Sequence, residues 1–463
     1  KISIGVEDFK EIIDKDGYFV DKTLMIQELL ESNAKVILFT RPRRFGKTLN
    51  QFMIRRFFED EITEKGEKVD NGYLFDGLAI TRCGEEILQH QQRYPVIFMS
   101  LKSAKQDSYD MAYASLIDEI SKEFKRHAYL LQGESLSPKE KQEFQLVMDK
   151  EAQPIAYAKA LGFLSECLTK YHGHKTIILI DEYDVPLENA YLHGFYDEMI
   201  GFIRSLFESA LKTNPYLEKG IITGCLRISK ESIFTGLNNL EVDSVLHTRY
   251  ADSFGFTEDE VKAMLAYYDL AAELPEVKRW YDGYLFNETE IYNPWSILKY
   301  VNDRKDKVTK FALPYWSNTS SNSIVREMVG EADADEKRDL ETLINGGTIE
   351  KQVHEDITYG DIHQTQDNQK CGNCLGNNGR QRNTCYSHWD GDGQNQVQHD
   401  VDNRRNHQKQ QGCAAVAKAL QNTRVDVKAQ VTNHTDEDDD HVSLCHLQCT
   451  VVRHLHHVQQ RFT

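Results

Sequence analysis

The chain alternates short, almost wholly apolar runs with longer stretches in which apolar residues recur every three or four positions. Residues 35–40 (KVILFT), 94–101 (YPVIFMSL), 175–180 (KTIILI) and 220–223 (GIIT) are the apolar runs, and 244–248 (SVLHT) is a weaker fifth. Between them, residues 48–59 carry Phe52, Ile54, Phe57 and Phe58. Residues 156–171 carry Leu161, Leu164 and Leu168, and residues 193–212 carry Met199, Phe202, Ile203 and Phe207. Strands apolar on both faces, alternating with helices, predict an α/β fold with a parallel sheet covered on both sides. Thr257 and Glu260 then have capping-box spacing and open a new helix. The pattern predicts a core over residues 1–256, a mostly helical domain over 257–350 that ends in a charged stretch and a Gly pair, and a distinct tail over 351–463.

The tail changes the picture. Beyond Ile362 there is no isoleucine, and after His363 only one Phe, one Tyr and one Glu remain against 15 Gln, 10 Asn and 9 of the 17 His. Such a segment buries too little apolar surface to offset its ordering entropy, which predicts disorder or a corrupted, out-of-frame stretch. An intact reading frame encoding this same tail would exclude the second of these.

Charge and cysteine usage bound the function. The net charge is -18, from 55 basic and 73 acidic residues, which argues against a general nucleic-acid coat but leaves room for a local basic groove. No run reaches the roughly 18 apolar residues of a membrane span, and no secretory leader is evident. Cys83, Cys167 and Cys225 are scattered and the other six cysteines fall in the last 100 residues. The scattered ones read as reduced thiols. A cytoplasmic protein with no membrane partner is the expectation.

The chemistry concentrates at strand ends. The first apolar run leads into Arg41, Pro42, Arg43, Arg44, Phe45, Gly46, Lys47, Thr48 and Leu49, with a helical pattern following. This is the strand–loop–helix context of a Walker A loop, in which loop amides and the helix N-terminus face phosphates. Lys47 would reach the β- and γ-phosphates of ATP, and the Thr48 hydroxyl would ligate Mg²⁺. Gly46 would let the backbone approach closely. The usual loop opens with Gly where this one has Arg41. Arg41, Arg43 and Arg44 suit contacts with phosphate or a nucleic-acid backbone, and equally a solvated basic loop.

The third run ends in Asp181, Glu182, Tyr183 and Asp184, a Walker B pattern. Asp181 would hold Mg²⁺, and Glu182 would polarise the attacking water. The spacing fits a P-loop NTPase with a five-stranded parallel core in which one extra strand separates the two motif strands. Thr223, at the end of the fourth run, is a candidate sensor of the γ-phosphate or a plain strand cap. Arg227 is a candidate arginine finger, within the chain or across a homo-oligomer interface, or a surface ion-pair partner.

In this order these residues resemble the AAA-ATPase-like family of bacterial proteins. The resemblance rests on residues 17–23 (GYFVDKT), 40–50 (TRPRRFGKTLN), 181–184 (DEYD), 223–234 (TGCLRISKESIF), 280–284 (WYDGY) and 292–296 (YNPWS). It accounts for Arg41, because the family's loop similarly starts Arg-Pro-Arg-Arg. It implies a P-loop ATPase core with a helical extension. Members of the family commonly carry a C-terminal PD-(D/E)xK nuclease-like domain, but Asp426 and Lys428 here form a bare Asp-x-Lys with no convincing acidic partner on a strand before it, so nuclease activity is not expected.

Other constellations carry less. Cys371 and Cys374 form a lone CxxC, and Cys445, His446, Cys449, His454, His456 and His457 crowd the end without the paired frame of a zinc site. His172 and His174 read as solvated turn residues. The aromatics from Trp280 to Tyr284 and from Tyr292 to Trp295 suit either a ligand or partner surface or a helical-domain core. Two functions stand: an ATPase using Lys47, Thr48, Asp181 and Glu182, or a slowly hydrolysing nucleotide switch acting on a protein or nucleic-acid partner.

Overall fold

The computed structural model describes residues 1–228, 233–234, 239–315, 334–344 and 356–357. Two compact units divide the chain, one of residues 1–313 and 353–362, the other of residues 314–352 and 363–463. In the second unit the described helix is Ala334–Ile344. Of the tail, residues 358–463, with its cysteines, Asp426 and Lys428 and its histidines beyond 357, lie outside the described residues, as do Ser229 to Ser232 of the family-like motif.

The first unit is built on five parallel strands. They are β1 (Val36–Thr40), β2 (Val96–Ser100), β3 (Thr176–Asp181), β4 (Leu217–Gly224) and, after the two-residue β5 (Arg227–Ile228), β6 (Leu240–Asp243). Their order across the sheet is β2-β3-β4-β1-β6, with every neighbouring pair parallel. Strand β4 thus lies between β1 and β3, the one-strand separation expected of a P-loop-like core. All residues of β1 and β3 are buried, as strands covered on both faces must be.

Alternation along the strands sorts the core into two halves. Leu38, Ile97, Ile178, Ile180 and Ile222 face one cluster, while Ile37, Phe39, Ile177, Leu179 and Ile221 face the other. The second half is covered by α1 (Phe9–Asp14), α2 (Leu24–Glu31) and α3 (Lys47–Phe58). The short α4 (Glu85–Leu88) adds Ile87 to it. The first half is covered by α5 (Tyr109–Arg126), α6 (Pro138–Met148), α7 (Pro154–Ala158), α8 (Ala160–His172), α9 (Val185–His193) and α10 (Tyr196–Phe207).

Several elements differ from the pattern's reading. The fifth strand is LEVD, ending where SVLHT begins. Glu241 and Asp243 hide it from an apolar scan, and at the sheet edge it needs only half burial. Ser244 instead starts a turn, its amide donating to His247 Nδ1 at 3.0 Å. The helical stretch 156–171 is two helices, α7 and α8, joined at Lys159. Helices α5 and α6 lie where the pattern names no element. His172 is buried rather than solvated, bridging Asp60 through Nδ1 at 3.1 Å and the Tyr129 hydroxyl through Nε2 at 2.8 Å.

Residues 257–313 hold α11 (Glu258–Tyr267), α12 (Leu274–Tyr281) and α13 (Pro294–Lys305), and they also hold a small antiparallel sheet. It consists of β7 (Phe256–Thr257), β8 (Tyr284–Phe286) and β9 (Thr289–Tyr292) in the order β7-β9-β8. The capping box at Thr257 and Glu260 is present. The N-terminal GYFVDKT stretch joins this region to the core: Lys22 pairs with Glu260 at 2.6 Å, and Asp21 accepts from the Thr23 hydroxyl and the Ala79 amide.

Candidate functional site

Because the sheet is parallel, the C-terminal ends of its strands open along one edge. Thr40 of β1, Asp181 of β3, Thr223 of β4 and Asp243 of β6 are gathered there. The loop from Arg41 to Gly46 leaves β1 at this edge and enters α3 through Gly46, whose φ of 85° a glycine adopts freely. Arg44 is also left-handed, at φ 67°, while Arg43, Phe45 and Lys47 are not. The sign of φ therefore alternates from residue 43 to residue 47, as it does in the backbone nests that cradle anions.

The side chains from the two sequence motifs meet. The Thr48 hydroxyl donates to Asp181 Oδ2 at 2.7 Å. The Thr223 hydroxyl donates to Asp181 Oδ1. Gln51, one turn into α3, donates through Nε2 to Thr223 Oγ1 and to the Ile180 carbonyl, both at 3.0 Å. Lys47 Nζ is 2.9 Å from the Arg41 carbonyl, 3.0 Å from that of Pro42 and 3.4 Å from Cys225 Sγ. Glu182 follows Asp181 with a φ of 52°. Burial, and then the neighbouring Asp181, push its carboxyl above the usual range.

The loop's remaining residues serve different elements. Arg43 pairs with Glu188 of α9 at 3.1 Å. The Arg44 guanidinium lies 3.9 Å over the ring of Trp295, at the start of α13. Phe45 is buried edge-on to Tyr284 and against Phe286. Leu49 packs on the same core half as α3. Arg41 is the departure from expectation. Its side chain is wholly buried and bonded to Asp243, so its guanidinium is not offered to a phosphate.

Tyr183 and Asp184 shape the segment after β4. One oxygen of Asp184 accepts the amides of Cys225 and Leu226 at 2.7 and 2.8 Å. The Tyr183 hydroxyl donates to the Leu226 carbonyl and accepts from the Ile228 amide. Arg227, in β5, sits within this pinned segment, in register with Asp356 of the short β10 (Asp356–Ile357). Gln51, Asp184 and Asp243 carry no motif signal of their own. Asp184 was legible only as the fourth letter of the acidic run.

The donor set suits a magnesium ion, since a hydroxyl and a carboxylate are the hard oxygen ligands that ion takes. Among the described residues there is no cluster of three or more His, Cys, Asp or Glu side chains arranged to hold a metal by themselves. No described helix is long and apolar enough to cross a membrane.

Fold and site together define an α/β protein with a P-loop-like core. A family model described as predicted AAA-ATPase matches residues 3–234, half of the chain, and the chain belongs to that family. Membership suggests ATP binding. The chain is also similar to an uncharacterized protein encoded in the vnfD 5′ region of Azotobacter chroococcum mcd 1, with 27% identity over 342 residues. That match covers 72% of this chain and 57% of the relative, so the chain spans less than two thirds of the relative's length.

Proposed function

We propose that the chain binds ATP with Mg²⁺ in the loop from Arg41 to Thr48 and hydrolyses it. One observation carries the reading: Thr48, Asp181 and Thr223 form a single hydrogen-bonded chain beside a backbone whose φ alternates in sign. Lys47 and the amides at the start of α3 neutralise the phosphate oxygens. Thr48 and Asp181 would hold the magnesium ion, which when bound supplies charge neutralisation at the β- and γ-oxygens. Glu182 takes the proton of a water attacking the γ-phosphorus. The bond to the β–γ bridging oxygen breaks, leaving ADP and phosphate. Thr223 holds Asp181 and reads the γ-phosphate, and Arg227 offers transition-state charge in cis or across a homo-oligomer interface.

A second reading, a slowly hydrolysing switch acting on a protein or nucleic-acid partner, draws support from Arg43 and Arg44, which tie the loop to α9 and α13. Calorimetry and turnover on the same preparation separate the two. Lys47→Ala is expected to abolish Mg-ATP uptake. Glu182→Gln is expected to keep uptake and lower turnover by about 10²–10⁴-fold, the usual contribution of a general base. Tight uptake with negligible parental turnover favours the switch, and uptake unaffected by Lys47→Ala defeats both.

A further inference from the structure

Arg41 stands where a phosphate-binding loop ordinarily has glycine, and the structure gives it an unusual number of tasks. It is the largest wholly buried side chain among the described residues. Its guanidinium donates to the Thr40 carbonyl at 3.0 Å and the Asp243 carbonyl at 2.9 Å. It also donates to Asp243 Oδ1 at 2.5 Å, with the Tyr250 carbonyl 3.4 Å away. The rings of Phe254 and Phe286 lie 4.9 and 5.4 Å from it. Its own amide donates to the Gly224 carbonyl at 3.0 Å. Its carbonyl accepts from Lys47 Nζ at 2.9 Å.

One residue therefore joins β4, β1 and β6 and touches the lysine of the loop. Glycine in that place bends the chain but anchors nothing. A planar five-donor fork reaches several acceptors at once, which a lysine ammonium on a flexible stem does not reproduce. The charge is stable there only because Asp243 accompanies it, since an unpaired buried ion is costly.

We infer that Arg41 is a positioning residue of the phosphate loop, fixed by Asp243 at the end of β6, and that it sets where the Arg41 carbonyl holds Lys47 without touching substrate itself. The inference rests on the proposed nucleotide site. It makes the edge strand β6 a working part of that site, because the loop's entry is fastened to the strand end rather than to a turn of its own.

The test separates anchoring from stability. Replacing both members of a buried ion pair by apolar residues of similar size commonly leaves a fold as stable or more so, whereas removing one member strands the other. The full chain carrying Arg41→Met with Asp243→Leu is expected to unfold in urea at or above the parental midpoint. It should nevertheless bind Mg-ATP about tenfold more weakly or worse, as a displaced binding group does. Arg41→Lys, which keeps the charge, is the companion in case the double variant does not fold; it leaves buried acceptors unfilled and so lowers the urea midpoint, but under conditions where it is fully folded it too should lose affinity. Parental affinity in either folded variant overturns the inference and leaves Arg41 as a core ion pair. Failure of the nucleotide reading looks different: the parent itself takes up no Mg-ATP, or Lys47→Ala binds as the parent does.

Discussion

A methyl group on Gly224 would lie 2.5 Å from Tyr183 Cε1 and 2.9 Å from Asp184 Oδ1. The glycine is thus required by a side chain 41 positions earlier, not by a turn of its own. Gly224→Ala must push the Tyr183 ring away from the segment it pins. Overpacking of this kind is expected to cost about 1–3 kcal/mol in urea unfolding, and an unchanged midpoint would refute the crowding argument. The same distance in sequence explains which residues were legible. Lys47, Thr48 and Asp181 stand in runs whose spacing is itself the signal. Gln51 and Asp243 are ordinary letters in a helix and an edge strand until the sheet brings Thr223 and Arg41 against them. His172 reads as a turn residue because its partners, Asp60 and Tyr129, are remote in the chain.

Elements transmit what residues bind. Helix α3 begins where the Arg41–Gly46 loop ends and is capped at its far end by Glu59, whose amide donates to the Arg55 carbonyl. The loop ahead of it rests on β8 and on the first turn of α13 through Phe45 and Arg44. The aromatics from Tyr292 to Trp295 meet the rest of the chain in two ways. Tyr292 is buried, and Trp295 faces the loop arginine. If the loop takes phosphate as proposed, the field on Arg44 changes, and the tryptophan beneath it would report this. Mg-ATP is expected to alter the fluorescence of the chain, which has four tryptophans. Trp295→Phe should remove most of the change while calorimetry still records uptake. A full signal in that variant would show that the loop and α13 are not coupled. Residues 257–313 were only partly legible as helical, because short strands such as TEIY have too few positions to reveal a period of two.

At the scale of the molecule, the parallel sheet needs its outer edge protected as well as its faces. Strand β2 ends the sheet on one side. Glu123 of α5 accepts the Phe98 amide at 2.8 Å and Arg126 donates to the Val96 carbonyl at 2.5 Å, so side chains satisfy backbone groups that no further strand pairs. Arg126 also pairs with Glu59 and Glu123, beside the buried His127. Burial, reinforced by Arg126, lowers the His127 pKa to about 4. Burial alone would raise Glu59, but Arg126 and Arg55 overcome it and hold that carboxyl at about 2. Both folded values lie below the unfolded ones, so both groups stabilise the fold above the unfolded pKa and lose that contribution as pH falls. For His127 the window runs from about 6.5 down to about 4 and the loss is about 3 kcal/mol. Urea midpoints should therefore drop on going from pH 7 to pH 4.5, and the drop should shrink in His127→Gln. An identical drop in that variant would assign the acid sensitivity elsewhere.

The four apolar strands of the core, the loop at the end of the first strand and the acidic pair at the end of the third were determined by sequence alone. Each is a local matter of apolar period, turn residues and spacing within a few positions. Tertiary structure decided that Arg41 is spent on Asp243, that Gln51 and Thr223 hold Asp181, and that Tyr183 and Asp184 pin the segment around Arg227. Those choices depend on hydrogen bonds between strand ends far apart in the chain. Such bonds acquire partners only when the sheet has set β4 between β1 and β3.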